Sequence, residues 1–277
     1  MAAPLEVNGA VRVAPEAGPA RRPLRGLLGA HPSLWRLASL GLFFLVWEIA
    51  GRIPISFAFP TFLETARAFL RLTLDGSFVT AYASTLQPLV IGIGISAVLG
   101  VGLGVAMGLS RTAEWLAAPV FIVLQAAPMA ALIPLITFVY GIGLLSKTLA
   151  VIMLALPVIV LNGYKAVRNV NPSLVDMCRS FQGSAWQRIV KIIIPDASPV
   201  IFAGLRLGLA AGFIGVILAE LLITPTGIGD LITYHRSVAD YPEMYAAVVS
   251  IIVVSTLTLA ALEAFELRVL RPEKRRG

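Results

Sequence analysis

Charged side chains are scarce in this sequence. Asp, Glu, Lys and Arg make up 13% of its 277 residues, about half their usual share in a globular domain. Hydrophobic residues make up 58%, and residues 76–110 and 115–146 carry no charge at all. These numbers exclude a soluble protein of one or two domains. They predict an all-α protein that crosses a bilayer several times.

Residues that commonly carry chemistry are also scarce. Cys178 is the single cysteine, and the two histidines, His31 and His235, are far apart in sequence, so we expect neither a disulfide nor a metal centre. The sequence contains no GxxxxGK[ST], HExxH, CxxC or GxSxG motif. The net charge of +7 lies mostly beside apolar runs, without the aromatic-interleaved basic face of a nucleic-acid binder. We therefore expect no enzyme, no cofactor in this chain and no nucleic-acid partner.

The apolar runs predict six membrane spans, because about 20 apolar residues cross the hydrocarbon core. They cover residues 34–50, 85–108, 115–146, 147–163, 202–223 and 244–262, and residues 61–72 form an amphipathic helix on the outer surface. The second span carries glycines at small-xxx-small spacing, which predicts close approach of another helix.

Two features of the spans are candidates for a translocation path. Pro128 and Pro134 lie in the third span, where prolines free backbone carbonyls and kink the helix; alternatively, they only shape packing. Glu220 lies in the fifth span, where a carboxylate is costly and usually faces water or the bundle interior. The alternative for Glu220 is a structural role, satisfied by backbone groups near the interface.

A polar loop, residues 164–199, interrupts the apolar sequence and has internal order. Asn171-Pro172-Ser173 is a helix-start signal, and Gly183-Ser184 breaks that helix and can cap a second, amphipathic one. We expect Pro195 to end the second helix. Such a unit, placed beside a membrane, is typical of a docking element for a soluble partner.

The segment DMCRSFQGSAWQRIVKIIIPDASPVIFAGLRLGLA within and after this loop resembles the coupling loop of ABC importer inner-membrane permeases. It is similar to the binding-protein-dependent subfamily for nitrate, taurine and aliphatic sulfonates. Asp176-Met177-Cys178 stands where the family has Glu-Ala-Ala, and Ile194-Pro195 stands at its Leu-Pro. Gln182 stands at the family's Gly, with Gly183 one place later.

The resemblance implies a type I ABC importer permease fold, with six transmembrane helices and a cytoplasmic coupling helix at about residues 172–182. It implies two copies of an ATPase subunit that binds the ATP, a periplasmic or lipid-anchored solute-binding protein, and a second permease copy. The cargo would be nitrate, taurine, a sulfonate or a similar small anion or organic compound.

In this interpretation Asp176 makes the polar contact and caps the helix, Gly183 is the hinge and Pro195 fixes the exit angle. The candidate ATPase-coupling residues are Pro172, Leu174, Val175, Asp176, Met177, Arg179, Gln182, Gly183 and Pro195.

The distribution of Lys and Arg predicts the orientation. With both termini in the cytoplasm, 17 of these residues fall inside and five outside, namely Arg52, Arg67, Arg71, Lys147 and Arg236. We expect a disordered cytoplasmic tail at 1–33, a permease domain at 34–268 and a basic cytoplasmic tail at 269–277, in a bacterial plasma membrane.

Two other classes compete with this interpretation. A secondary transporter or channel without an ATPase would show paired ionisable residues in several spans, whereas only Glu220 qualifies by sequence. A membrane enzyme would need a cluster of His, Asp or Glu, which the sequence does not offer.

Overall fold

The computed structural model describes residues 32–53, 56–223 and 225–270. The two predicted tails, 1–33 and 269–277, fall almost wholly outside these ranges and stay predictions. The regular structure of the described residues is helical throughout. In chain order the helices are α1 (Pro32–Arg52), α2 (Phe62–Leu74), α3 (Ser77–Leu109), α4 (Arg111–Ala126), α5 (Met129–Tyr140), α6 (Leu144–Arg168), α7 (Pro172–Ser180), α8 (Ala185–Arg188), α9 (Ile194–Leu222), α10 (Ile228–Ser237) and α11 (Tyr241–Leu270).

In the described part of the chain, four helices are long and apolar enough to cross a membrane: α3, α6, the α8–α9 unit and α11. The pair α4 and α5 would make a fifth, broken crossing. At the place of the predicted first span lies α1, a helix of 21 residues, and its crossing stays a prediction. The predicted amphipathic helix is present as α2, whose start is fixed by a capping box between Thr61 and Glu64.

The predicted kink in the third span is confirmed, and the helix is broken there rather than only bent. The axes of α4 and α5 meet at 99° across Ala127 and Pro128. Ala127 is extended, as expected for a residue before proline, and Pro128 precedes the first turn of α5. Pro134 lies inside α5 without breaking it.

Helix α6 forms the centre of the bundle, packed against α3 on one side and α9 on the other. The glycines of α3 make this possible. A Cβ added at Gly104 would lie 2.6 Å from the Val160 carbonyl oxygen, and one at Gly108 would lie 2.5 Å from the Val167 Cβ. A Cβ at Gly102 would meet nothing within 4 Å. The prediction of close helix approach is confirmed, and it applies to one face of α3.

The prediction that Pro195 ends the second helix of the loop is wrong. The chain from Ala185 to Leu222 is helical throughout, because one π-helical turn (Ile189–Ile193) joins α8 to α9. The Ile194 N–H donates to the Ile189 carbonyl, one residue further back than in an α-helix. Pro195 has no N–H to donate, and in a regular helix its ring would collide with the preceding turn. The wider π turn lies just before Pro195. Pro195 then occupies the first turn of α9, where proline is tolerated.

Candidate functional site

The start of α7 is fixed by Asn171. Its side-chain oxygen accepts from the Ser173 N–H at 3.0 Å, and Pro172 takes the first helical position. The predicted cap at Asp176 is therefore wrong, because that residue lies in the middle of the helix, where no free N–H groups remain. The Asn171 N–H also donates to Asp196 Oδ2 at 3.3 Å, which ties the start of α7 to the start of α9.

Helix α7 has an anchored face and a free face. Val175 packs against a buried cluster that includes Val167 and Ile193, at the junction of α6 with the π turn. On the other side Met177 is 49% exposed and Phe181, just past the helix, is 83% exposed. Exposed apolar groups on an anchored helix are typical of a protein–protein contact.

The polar coupling candidates lie on the surface of α7. Asp176 accepts a hydrogen bond from Arg179 at 3.2 Å, and both side chains are exposed. This pair is free to reorganise when a partner binds, since an exposed ion pair one turn apart contributes little to stability. Leu174 is half-buried between the two faces.

The turn after α7 contains Gln182 and Gly183, where the glycine lies one place later than in the family that the loop resembles. Gln182 adopts φ +55°, the left-handed conformation, at the position where the family has glycine. The Gly183 N–H donates to the Cys178 carbonyl, and the Gln182 N–H donates to the Arg179 carbonyl, which together form a Schellman motif. Gly183 is needed for a different reason, because a Cβ there would lie 2.5 Å from Cys178 Sγ. This chain thus makes the left-handed turn with glutamine at position 182.

The second helix of the loop begins with a capping box. The Ser184 hydroxyl accepts from the Gln187 N–H at 3.2 Å, and the Gln187 side chain accepts from the Ser184 N–H at 2.9 Å. The predicted cap at Ser184 is confirmed. Trp186, in the first turn, is 72% exposed.

At the opposite end of the bundle, Glu220 is enclosed by polar groups. Its carboxylate accepts from Lys147 Nζ at 2.8 Å, from Thr85 Oγ1 at 2.9 Å and from the Gly229 N–H at 3.0 Å. The Lys147 ammonium also donates to the Thr226 carbonyl and hydroxyl at 2.9 and 3.0 Å. Both charged side chains are nearly inaccessible, at 4% for lysine and 0% for glutamate. These contacts tie α3, α6 and α9 to the segment that leads into α10.

Two glycines leave room for this carboxylate. Gly227 has φ +99°, and a Cβ on it would overlap the Glu220 carboxylate. A Cβ on Gly229 would lie 2.5 Å from the Glu220 Cβ. Gly227 and Gly229 therefore allow the chain at the start of α10 to pass directly over the ion pair.

Sequence reasoning singled out Glu220 and missed its partner. Lys147 was counted among the five cations of the outer segments, and its side chain is buried in α6. The available signal was that Lys147 is the first charge after 32 uncharged residues, within an apolar run. The other pathway candidates, Pro128 and Pro134, are exposed on the broken helix pair, whereas Glu220 is enclosed.

The sequence and the fold match one family of transport proteins. A family model described as "Binding-protein-dependent transport system inner membrane component" matches residues 96–271. The putative aliphatic sulfonates transport permease protein SsuC of Bacillus subtilis is 26% identical over 82% of this chain and 83% of its own length. The taurine transport system permease protein TauC of Escherichia coli is 26% identical over 80% and 83%. The riboflavin transport system permease protein RibX of Chloroflexus aurantiacus is 34% identical over 55% and 56%.

Solved structures agree with this match. An inward-facing conformation of the MetNI methionine ABC transporter superposes with a TM-score of 0.58 at 18% identity, over 69% of this chain and 95% of that chain. The crystal structure of an amino acid ABC transporter with histidines gives 0.54 at 19%, over 73% and 98%. The predicted type I ABC importer permease fold is thereby confirmed.

Proposed function

This chain belongs to the family of binding-protein-dependent transport system inner membrane components, and we propose that it couples a separate ATPase to solute movement through the loop at residues 164–199. As a multi-pass ABC importer permease for small solutes it is not itself an enzyme. ATP would be bound and hydrolysed on the partner. Closure of the ATPase would move α7, and the spans would switch between outward and inward access.

The observation that carries this proposal is the free face of α7. Met177 and Phe181 are exposed while Val175 anchors the same helix to the ends of the spans. A partner that grips Met177 and Phe181 therefore displaces the bundle as well as the helix.

Replacing Asp176 and Met177 together with lysine tests the coupling. We expect the ATPase to be lost from the purified complex, because two ammonium groups replace an acid and an apolar contact. A matched control is the double lysine variant of Leu74 and Asp75, which makes the same charge change at exposed positions at the C-terminal end of α2. Undiminished co-purification of the ATPase with the first variant would contradict the proposal.

The orientation that this mechanism needs places both termini and α7 in the cytoplasm. Burial of Lys147 removes one outer cation from the comparison and leaves 17 inside against four outside, which strengthens the asymmetry. Reporter fusions after residues 75 and 235 should read outside, and fusions after residues 180 and 277 should read inside. The reverse pattern would overturn the orientation.

We further propose that two permease copies and two ATPase copies form the importer, and that a periplasmic or lipid-anchored binding protein delivers the solute. Half a pathway cannot shield a polar solute from lipid. The relatives are named for sulfonates, taurine and riboflavin, so closely related permease folds accompany chemically different cargo. A small sulfonate, taurine, nitrate or a similar small compound fits this chain, with selectivity set mainly by the binding protein. Binding measurements on the cognate secreted receptor test this assignment.

A secondary transporter or channel is the weaker alternative. Its ionisable pairs would lie deep in several spans. Lys147 and Glu220 do form such a pair, but Lys147 lies in the first turn of α6 and its partners come from the same chain. Transport by the purified permease at full rate without a nucleotide-hydrolysing partner would favour this alternative.

A further inference from the structure

A cavity of about 620 Å³ lies between α7 and the ends of the spans. Asp176 and Arg179 of the coupling candidates line it, whereas Met177 and Phe181, the free face of α7, do not. The inner ends of α3 and α6 and the starts of α4 and α7 surround it. Leu109 ends the apolar helix α3 and Arg168 ends α6, so the cavity lies where apolar spans give way to polar loops. This is the depth of lipid headgroups.

The lining of this cavity is strongly basic. Four arginines line it, namely Arg111, Arg168, Arg179 and Arg188, together with one acidic residue, Asp176. Arg179 is paired with Asp176, and Arg168 lies 3.8 Å from Glu114. Within the described ranges, Arg111 and Arg188 form no ion pair. The cavity therefore holds a net positive charge that the described residues do not neutralise.

Helix dipoles add little to this charge. Two helix N-termini, at Arg111 and Pro172, and two C-termini, at Leu109 and Arg168, line the same cavity. Their partial charges of about half an elementary unit have opposite signs and largely cancel. The guanidinium groups thus carry the attraction for an anion.

The rest of the lining is apolar. Val167, Ile189 and Ile193 form a hydrophobic wall beside the arginines. A free inorganic anion gains nothing from such a wall, whereas an anionic lipid presents a phosphate joined to a glycerol and acyl chains. Arginine suits this phosphate because its planar fork of donors pairs with two oxygens at once. Basic pockets between spans at the cytoplasmic side are known to hold such headgroups.

We propose that this cavity binds the phosphate headgroup of an anionic phospholipid of the inner leaflet. The lipid would bridge the end of α3, the start of α4 and α7. The leaflet follows from the proposed orientation, but binding itself requires no ATPase. The lipid proposal can therefore fail while the coupling proposal stands, and the coupling proposal can fail while the lipid proposal stands.

The test measures the thermal unfolding of the full-length permease, purified without the ATPase in a neutral detergent, by intrinsic tryptophan fluorescence. Phosphatidylglycerol, phosphatidylcholine and inorganic phosphate are titrated separately. We expect phosphatidylglycerol to raise Tm well beyond phosphatidylcholine, as for any ligand that binds the folded state. In the Arg111→Gln/Arg188→Gln variant this extra increment should disappear. It should remain in Arg67→Gln/Arg236→Gln, which removes the same charge from exposed arginines elsewhere.

Three results would overturn the proposal. The first is an equal increment from both lipids in the wild type. The second is a full phosphatidylglycerol increment in Arg111→Gln/Arg188→Gln. The third is an equal increment from inorganic phosphate, which would assign the cavity to a soluble anion. If the second result is found, a separate co-purification assay of the same variant with the ATPase shows whether the arginines bind the ATPase instead. If the double variant does not fold, the test uses Arg111→Gln alone. We expect this variant to lose part of the phosphatidylglycerol increment in Tm, and a full increment would overturn the proposal.

Discussion

Neutralising Glu220 while Lys147 remains should destabilise this protein more than any exposed charge change. The variant Glu220→Gln keeps the shape of the side chain and one carbonyl acceptor for the Gly229 N–H. It leaves the Lys147 ammonium, whose side chain is 4% exposed, without a counter-charge. Removing one partner of a buried ion pair costs about 3–5 kcal/mol, and the retained carbonyl places this variant near the lower bound.

The expected loss translates into a measurable melting shift. For a chain of about this length, 1 kcal/mol corresponds to about 2–4 °C, so Glu220→Gln should lower Tm by about 6–12 °C. The control is Glu263→Gln, which removes a carboxylate 3.4 Å from Arg206 but 57% exposed. An exposed pair is worth about 0–1 kcal/mol, so this control should melt close to the wild type.

A second variant separates a structural role of Glu220 from a role in the pathway. Lys147→Met/Glu220→Gln removes both charges and still accepts from Gly229 and Thr85. We expect its stability to return to within about 1–2 kcal/mol of the wild type, because the remaining cost is that of unmade hydrogen bonds at Thr226.

The assay that completes this test is solute uptake with the cognate binding protein and ATPase. Uptake should fall in Glu220→Gln. If the carboxylate is structural, uptake returns with stability in the double variant; if it acts on the solute, uptake stays lost. A Glu220→Gln protein that melts within about 2 °C of the wild type would refute the reasoning from burial, since burial predicts a Tm decrease of about 6–12 °C.

The remaining predictions concern backbone positions. Gly104→Leu should prevent close packing of α3 on α6 and abolish a stable fold, since even its Cβ would meet the Val160 carbonyl at 2.6 Å; Gly102→Leu on the open face is the control, and equal yields of folded protein would contradict the packing. Gln182 has φ +55°. The Gln182→Gly variant should therefore be as stable as the wild type or slightly more stable. The Gln182→Val variant should lose about 1–2 kcal/mol of unfolding free energy, because branched side chains disfavour the left-handed backbone conformation. Equal melting temperatures for the Gln182→Val and Gln182→Gly variants would contradict the left-handed conformation at this position. Ser184→Ala should cost about 1 kcal/mol through loss of the capping box, measured in the same melt.

Local signals in the sequence predicted much of this structure. Runs without charge gave the apolar spans, because a bilayer demands length and apolarity from contiguous residues. Asn171-Pro172 and Ser184 marked helix starts correctly, because a cap is decided by residues within three positions. The kink at Pro128 is equally local, since proline restricts the residue before it.

What the sequence could not reveal depends on distant residues or on backbone register. Lys147 and Glu220 are 73 residues apart, and the helix packing alone brings them together. Asn171 and Asp196 meet for the same reason across the loop. Pro195 failed as a stop signal because a single π turn changed the hydrogen-bond register ahead of it, and a propensity rule assumes a regular α-helix. The arginine-lined cavity beside α7 likewise collects its arginines from four separate segments.

The unbroken helical path from Ala185 to Leu222 has a mechanical consequence. At about 1.5 Å per residue, its 38 residues make a rod of about 57 Å, with the capped elbow at Ser184 near one end and Glu220 near the other. A displacement at the Ser184 elbow is therefore carried along one helix toward the end of the bundle that holds Glu220. The π turn is the natural weak section of this rod, because its hydrogen bonds are already out of the regular register. Under the proposed coupling, a partner acting at α7 therefore reaches the Lys147–Glu220 end of the bundle through one helix rather than through a relay of loops.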